Sequence, residues 1–225
     1  VHPTAELAER VLLPGDPGRA LLLAQALLEA PRMFNHNRGL WGYTGAAADG
    51  RPLTIQSTGM GGPSAAIVIE ELLRLGARRI VRVGTCGALV GGFELGDALV
   101  ATEALPGDGT SRALGADVSV AADPALTAAL IAAAQRDGGA RSGAVVTTDL
   151  FYDASGGHAS PPADGALAIE METATLLQLG ALRGFQAACV LIVSDLLGPT
   201  RGRIDRDALA AAAERVGRIA AAALS

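Results

Sequence analysis

The chain has 225 residues, 50% of them hydrophobic and 18% charged, with 29 glycines against four Phe, two Tyr and one Trp. That is ample apolar material for an α/β core, and it excludes disorder as a description of the whole. All 18 cations are arginines and the net charge is −5, which leaves no basic face for duplex nucleic acid and makes any anion site a local arginine cluster.

From the N-terminus, residues 1–6 carry neither a basic leader nor an apolar secretory segment. Residues 10–14 read as a buried strand that breaks at Gly15-Asp16-Pro17 and feeds a helix over 19–30. Residues 41–48 and 52–57 are joined by Asp49-Gly50, whose tolerance of positive φ predicts a β-hairpin. Pro63 opens a helix to about Leu75, closed by Gly76. Short apolar strands follow at 80–83 and 98–102, then a helix over Pro124–Arg136 with Asp123 as N-cap. Strands at 144–148, 167–171 and 187–194 alternate with helices at 172–182 and 205–224. The Ser-, Gly- and Pro-rich stretch 154–165 reads as a surface loop, not a linker. Near-continuous apolar strands separated by helices predict an α/β fold of three layers, a mostly parallel mixed central sheet flanked by helices, in one domain over 1–225. Cys86 and Cys189 lie inside apolar segments, give no disulfide framework and predict a reduced, cytoplasmic setting. Glu214, Arg215 and Arg218 interrupt the last alanine-rich stretch, so no membrane span or membrane partner is expected.

In open α/β sheets ligands collect at the carboxyl ends of the parallel strands, which directs attention to the polar residues there. Gly15-Asp16-Pro17-Gly18-Arg19 is a glycine turn entering a helix with an arginine in its first turn; it makes either an anion site or a tight turn with a solvated cation. Arg82, inside the strand Ile80-Val81-Arg82-Val83, needs an anionic partner, either a ligand or an internal carboxylate. Arg38 is a third candidate cation. Thr58-Gly59-Met60-Gly61-Gly62-Pro63-Ser64 is placed like a dinucleotide fingerprint but ends in Ser64. About twenty residues on stand Ile80 and Arg82 instead of an acid, so no nicotinamide cofactor is expected. Gly84-Thr85-Cys86-Gly87 has the outline of a nucleophile elbow, yet none of His2, His36 and His158 has the context of a base, so Cys86 is expected to be an inert thiol. Scattered histidines and two distant cysteines give no metal-ligand spacing. In Glu170-Met171-Glu172 a carboxylate at a strand end can hold two vicinal sugar hydroxyls, or Glu172 can serve as a helix N-terminal acid. Asp195 closes a long apolar strand, as a general acid or as the cap of the turn at Gly198-Pro199.

Taken in order, Leu13-Pro14-Gly15-Asp16-Pro17-Gly18-Arg19, Arg38-Gly39, Thr58-Gly59-Met60-Gly61 with Pro63-Ser64, Arg82-Val83-Gly84-Thr85-Cys86-Gly87-Ala88, Asp149-Leu150-Phe151-Tyr152, Glu170-Met171-Glu172 and Val193-Ser194-Asp195 resemble the nucleoside phosphorylases of the hexameric bacterial type, which act on purine nucleosides or uridine. The resemblance runs nearly end to end. It implies a phosphate site of Gly15, Arg19, Arg82 and Thr85, with Arg38 supplied by a neighbouring subunit. It implies ribose contacts from Met171 and Glu172, and a base pocket of Phe151, Cys86, Gly87, Glu170 and Ser194. Asp195 corresponds to the acid that protonates the purine N7, with Arg82 assisting the chemistry. The activity implied is phosphorolysis of purine ribonucleosides or 2′-deoxyribonucleosides to free base and the pentose 1-phosphate. Inorganic phosphate is then a co-substrate and no cofactor is needed. A homo-oligomer is implied as well, a hexamer built from dimers with shared active sites.

The uridine branch carries a Gln and an Arg soon after the Phe-Tyr pair, and here that stretch is Asp153-Ala154-Ser155-Gly156-Gly157-His158. Ser194-Asp195 also favours purines; against that, residues 57–71 would sit comfortably in a uridine enzyme. Related nucleosidases lack the phosphate arginines, so Arg19, Arg38 and Arg82 speak against hydrolysis. The family's N-terminal ribose histidine stands farther from the glycine turn than His2 does, and His2 is not assigned to the site. The alternatives are a uridine phosphorylase and a non-catalytic nucleoside-binding protein on the same fold.

Overall fold

The computed structural model describes residues 1–152, 165–197 and 201–225. The loop expected over 154–165 therefore lies, apart from Gly165, outside the described residues, as does the turn at Gly198-Pro199. Strand β1 (Arg10–Leu13) leads into helix α1 (Pro17–Leu27), whose first turn is capped by Asp16 accepting from the Arg19 amide at 2.6 Å. A meander of β2 (Glu29–Asn35), β3 (Gly42–Ala46) and β4 (Pro52–Gln56) precedes α2 (Gly62–Arg74), β5 (Arg79–Ala88) and β6 (Ala98–Pro106). Then come α3 (Gly109–Ala113), β7 (Val120–Ala121), α4 (Pro124–Arg136) and β8 (Arg141–Thr147). The chain ends with β9 (Ala168–Glu170), α5 (Thr173–Arg183), β10 (Gln186–Leu196), β11 (Gly202–Arg203) and α6 (Arg206–Ala223).

The central sheet is mixed and mostly parallel, as expected: β4-β1-β5-β10 and β6-β8-β9 are its two parallel runs. Antiparallel pairs join them at β10–β6 and β5–β9 and add β3, β2, β7 and β11 at the margins. The sheet is not open, however. β9 pairs with both β8 and β5, so β5, β10, β6, β8 and β9 close on themselves at one end. Closure depends on β5 running on to Ala88 instead of stopping at 83. Residues without side chains permit this: a Cβ at Gly84 would stand 2.8 Å from Arg82 Nη2, and one at Gly87 would stand 2.6 Å from Leu197 Cδ1.

Strand alternation divides the interior in two. Ile80, Cys189 and Leu191 face α2 and α5, while Val81, Val83 and Val190 face α1, α4 and α6. The predicted helix over 19–30 ends at Leu27 instead, and residues from Glu29 onward form edge strand β2. Its first five residues are exposed and include Pro31, so it shows neither alternation nor a buried run.

At the far end of the strands, buried Arg10 ties three segments together. It donates to both Asp49 oxygens at 2.7 and 3.0 Å, to the Pro52 and Arg51 carbonyls, and to the Leu224 carbonyl past the end of α6. The side-chain hydrogen bond from Arg10 holds the Asp49 carboxyl well below the usual carboxylate range. A depressed carboxyl stabilises the fold above its unfolded value and loses that contribution as pH falls below about 4. Arg10→Met is expected to lower the unfolding free energy by about 3 kcal/mol at pH 7, the low end for a buried pair because Asp49 is only partly covered. Urea midpoints at pH 7 and pH 3 check it, and the difference between parent and variant should shrink at the lower pH.

Candidate active site

The last register pair of β1 with β5 is Leu13 with Arg82, so the Gly15 turn lies beside β5 just beyond Arg82, level with Gly84 and Thr85. The loop after β4 fastens onto the same turn: the Thr58 and Gly59 amides donate to the Pro14 and Gly15 carbonyls, each at 3.0 Å. A Cβ at Gly15 would stand 3.1 Å from the Gly59 carbonyl oxygen. Two loops, from β1 and β4, thus meet over one buried arginine.

The Arg82 side chain folds back over Gly84, and each of its nitrogens meets a different fate. Nε donates to Glu170 Oε2 at 3.1 Å, Nη2 pairs with Glu172 Oε2, and Nη1 is buried with no hydrogen-bond partner among the described residues. The Cβ position of Gly15 is 3.9 Å from Nη1, so the unused donor faces the glycine turn. Burial pushes the guanidinium down, but Glu172 and Glu170 more than reverse it, and the net shift is upward. Arg82 is charged at every physiological pH. Arg19, half-buried on the first turn of α1, is lowered by burial, with Asp16 opposing and Arg82 adding to the shift.

Glu172 stands at the N-cap of α5 with its side chain turned inward, where Oε1 accepts from the Gly61 amide at 2.5 Å. Burial pushes its carboxyl up; Arg82 opposes this and Glu170 adds to it. Glu170, expected against the base, is placed otherwise. Its two oxygens accept from Arg82 Nε, from the Thr147 hydroxyl at 2.6 Å and from the Glu172 and Thr173 amides. With its side chain only 1% exposed, it has no free face to offer a ligand.

Asp195 lies one position past a β-bulge in β10, opposite Gly87 of β5 and Arg203 of β11. The bulged residue is Ser194, and such an insertion re-aims the side chains beyond it. Ser194 Oγ is 2.8 Å from Asp195 Oδ2 and 3.3 Å from the Cys86 carbonyl. Of Arg201, Arg203 and Arg206, which follow Asp195 in the chain, Arg203 is the one paired with it, Nε to Oδ1 at 3.7 Å. Ser194, Asp195, Cys86 and Gly87 are therefore one group, at the carboxyl ends of β5 and β10. Met171 sits half-buried between Glu170 and Glu172. Phe151 is 56% exposed and packs edge-on against Tyr152 at 4.8 Å. Arg38 is exposed too, in a left-handed conformation at φ 58°, with no hydrogen bond or ion pair among the described residues.

Sequence reasoning missed Gly61 and Thr147. Gly61 had a signal in the glycine run, since its φ of +85° turns the amide toward Glu172. Thr147 had none, because a threonine ending a strand is unremarkable until its partner is known.

Cys86 is buried, with Sγ 3.6 Å from the Ile192 carbonyl, and burial raises its thiol well above the ordinary value. Burial likewise pushes Cys189 up to about 12. Neither is a nucleophile. With an aromatic disulfide reagent at pH 8 the folded protein should release almost no thiolate, and two equivalents should appear once guanidinium unfolds it. No group of three or more His, Cys, Asp or Glu side chains placed to hold a metal ion occurs among the described residues, nor does a helix long and apolar enough to cross a membrane.

Residues 9–225 match the sequence profile of the phosphorylase superfamily. The chain is 38% identical over 196 residues to the DeoD-type purine nucleoside phosphorylase of Geobacillus kaustophilus, covering 85% of this chain and 83% of that protein. It is 40% identical over 195 residues to that of a Bacillus cereus strain, and 39% identical over 195 to that of Bacillus thuringiensis strain Al Hakam. Each match covers 84% of this chain and 83% of the relative.

Proposed function

The chain belongs to the phosphorylase superfamily, and on that premise we propose that it cleaves purine nucleosides with inorganic phosphate, releasing the free base and the pentose 1-phosphate. The observation that carries this reading is the division of Arg82. One buried nitrogen has no partner among the described residues and faces a glycine turn, while its neighbour on the same guanidinium touches Glu172. An anion held by the first and a diol held by Glu172 would lie side by side, which is the arrangement in which phosphate attacks the anomeric carbon of a ribose.

Phosphate sits at the Gly15 turn, held by Arg19, Arg82 and Thr85, and Glu172 takes the ribose hydroxyls beside Met171. The base lies against the Cys86-Gly87 backbone under Phe151. As the bond from the anomeric carbon to N9 lengthens, the sugar gains oxocarbenium character and the phosphate oxygen closes on it. Asp195 gives its proton to N7 so that the base does not depart as an anion. The new carbon–oxygen bond completes the sugar phosphate, and solvent returns the proton to Asp195. Nothing in this sequence requires a cofactor.

The charges of Arg19, Arg82, Glu170 and Glu172 sum to zero, so a phosphate dianion entering among them gains from a further cation. Arg38, exposed and without an ion pair among the described residues, supplies it from a second copy, and the active unit is a dimer or a larger ring of dimers. Mixing inactive Arg38→Ala and Arg82→Ala chains under subunit exchange should then regenerate activity, because half the sites of a mixed dimer recover both arginines. Activity no greater than the sum of the two variants would leave each chain with its own complete site. The reaction itself is tested by its products. Base and pentose 1-phosphate should appear in equal amounts, and free pentose in their place would overturn the reading.

A further inference from the structure

Resting on the phosphorolysis reading, we propose that Glu170 is a positioning residue for that reaction: anchored by Thr147, it fixes the Arg82 guanidinium so that Nη1 is delivered to the anion and Nη2 to Glu172. The geometry of the guanidinium supports this. Nε–H and one Nη2–H project from the same edge of the plane, and two separate carboxylates, Glu170 and Glu172, occupy that edge. With Nε held, rotation about the last side-chain bonds is blocked and Nη1 must project the other way, toward Gly15. If Glu172 alone held the guanidinium, the arginine could swing whenever Glu172 turned to a ribose.

Glu170 is itself immobilised from three sides. The Thr147 hydroxyl donates to Oε1 at 2.6 Å and in turn accepts from the Ala174 amide at 2.9 Å. The Thr173 amide reaches both oxygens, at 2.9 and 3.0 Å, and the Glu172 amide reaches Oε2 at 2.9 Å. A carboxylate on the first amides of a helix is favoured by the helix dipole, so the charge that orients Arg82 is anchored at the start of α5. The same contacts fix the backbone of Glu172. One side chain thereby sets the spacing between the anion donor and the diol acceptor without touching either substrate.

The test compares the parent with Glu170→Gln and Thr147→Val, reading kcat, KM for phosphate, KM for a purine nucleoside, thermal midpoint, and direct binding of inorganic phosphate by calorimetry. Glu170→Gln keeps the shape and removes the charge. It should raise KM and Kd for phosphate about tenfold or more, with a smaller rise in nucleoside KM. Thr147→Val should move the same constants in the same direction by less. A merely structural role would lower the thermal midpoint and the active fraction while leaving the phosphate constants in place, and that result overturns the proposal. Should the parent bind phosphate but fail to cleave nucleosides, the phosphorolysis reading fails, and a weaker phosphate Kd in Glu170→Gln still upholds the part assigned to Glu170 at the anion site. A parent that binds no phosphate overturns both.

Discussion

Arg82→Met is expected to lower kcat/KM for phosphorolysis by about 10²–10³-fold and to weaken the fold at neutral pH by about 3–5 kcal/mol. The two losses have one origin. Arg82 presents its free nitrogen to the anion while its other two neutralise Glu170 and Glu172, and all three groups are buried. Methionine fills the volume but leaves two carboxylates facing one another without a cation. Glu172, already pushed up by burial, then loses the pull that opposes the rise. A carboxyl held above its unfolded value of about 4.3 favours the fold at pH below that value and costs stability as pH rises through the folded one. The stability deficit of Arg82→Met should therefore be smaller at pH 5 than at pH 8, as urea midpoints at the two values would read. Arg82→Lys should recover little activity, because one ammonium cannot reach Glu170, Glu172 and the anion together. Wild-type phosphate kinetics in either variant would remove Arg82 from the site.

Asp195→Asn is expected to cost about 10²–10⁴-fold in turnover of inosine or guanosine, the range for losing a general acid, with nucleoside binding largely kept. The reason is chemical: a neutral purine leaving through N9 carries its electron pair into the ring, and N7 is where a proton neutralises it. A nucleoside that already bears a methyl cation at N7 does not need that proton. Cleavage of 7-methylguanosine should fall far less than cleavage of guanosine in the same variant. Equal losses on both substrates would show that Asp195 acts by holding structure, and unreduced turnover on guanosine would remove it altogether. A protein that only binds nucleosides would show no turnover for either substitution to change.

The layered α/β plan was legible because buried strands announce themselves as short apolar runs, and the starts of α2 and α4 because Pro63 and Pro124 mark them; α1 begins at Pro17, two residues ahead of the expected 19. Edge strand β2 was not, since an exposed strand need not alternate. The closure of the sheet through β9 was hidden too, because Gly84 and Gly87 look like a strand's end when they are the flat surface over which Arg82 and Leu197 pack. Within the site, Arg82 stood out as a cation inside an apolar strand, and its need for an anion was plain. That it would meet two internal carboxylates and keep a third nitrogen free was not, since Glu170 lies 88 positions away in sequence. Glu170 and Glu172 carry the same side chain two positions apart in one motif. Only the fold separates them, directing one beneath α5 and the other toward Gly61. Phe151 and Arg38 enter the site only through the family resemblance, and in a single chain both are exposed.

The most direct measurement is release of free base from inosine, adenosine, guanosine and uridine, each with and without inorganic phosphate. Release from the purine nucleosides that requires phosphate, with uridine inert, is the expected result. Release from uridine would place the chain in the pyrimidine branch despite Asp195, and release without phosphate would make it a hydrolase and leave the free nitrogen of Arg82 without its anion.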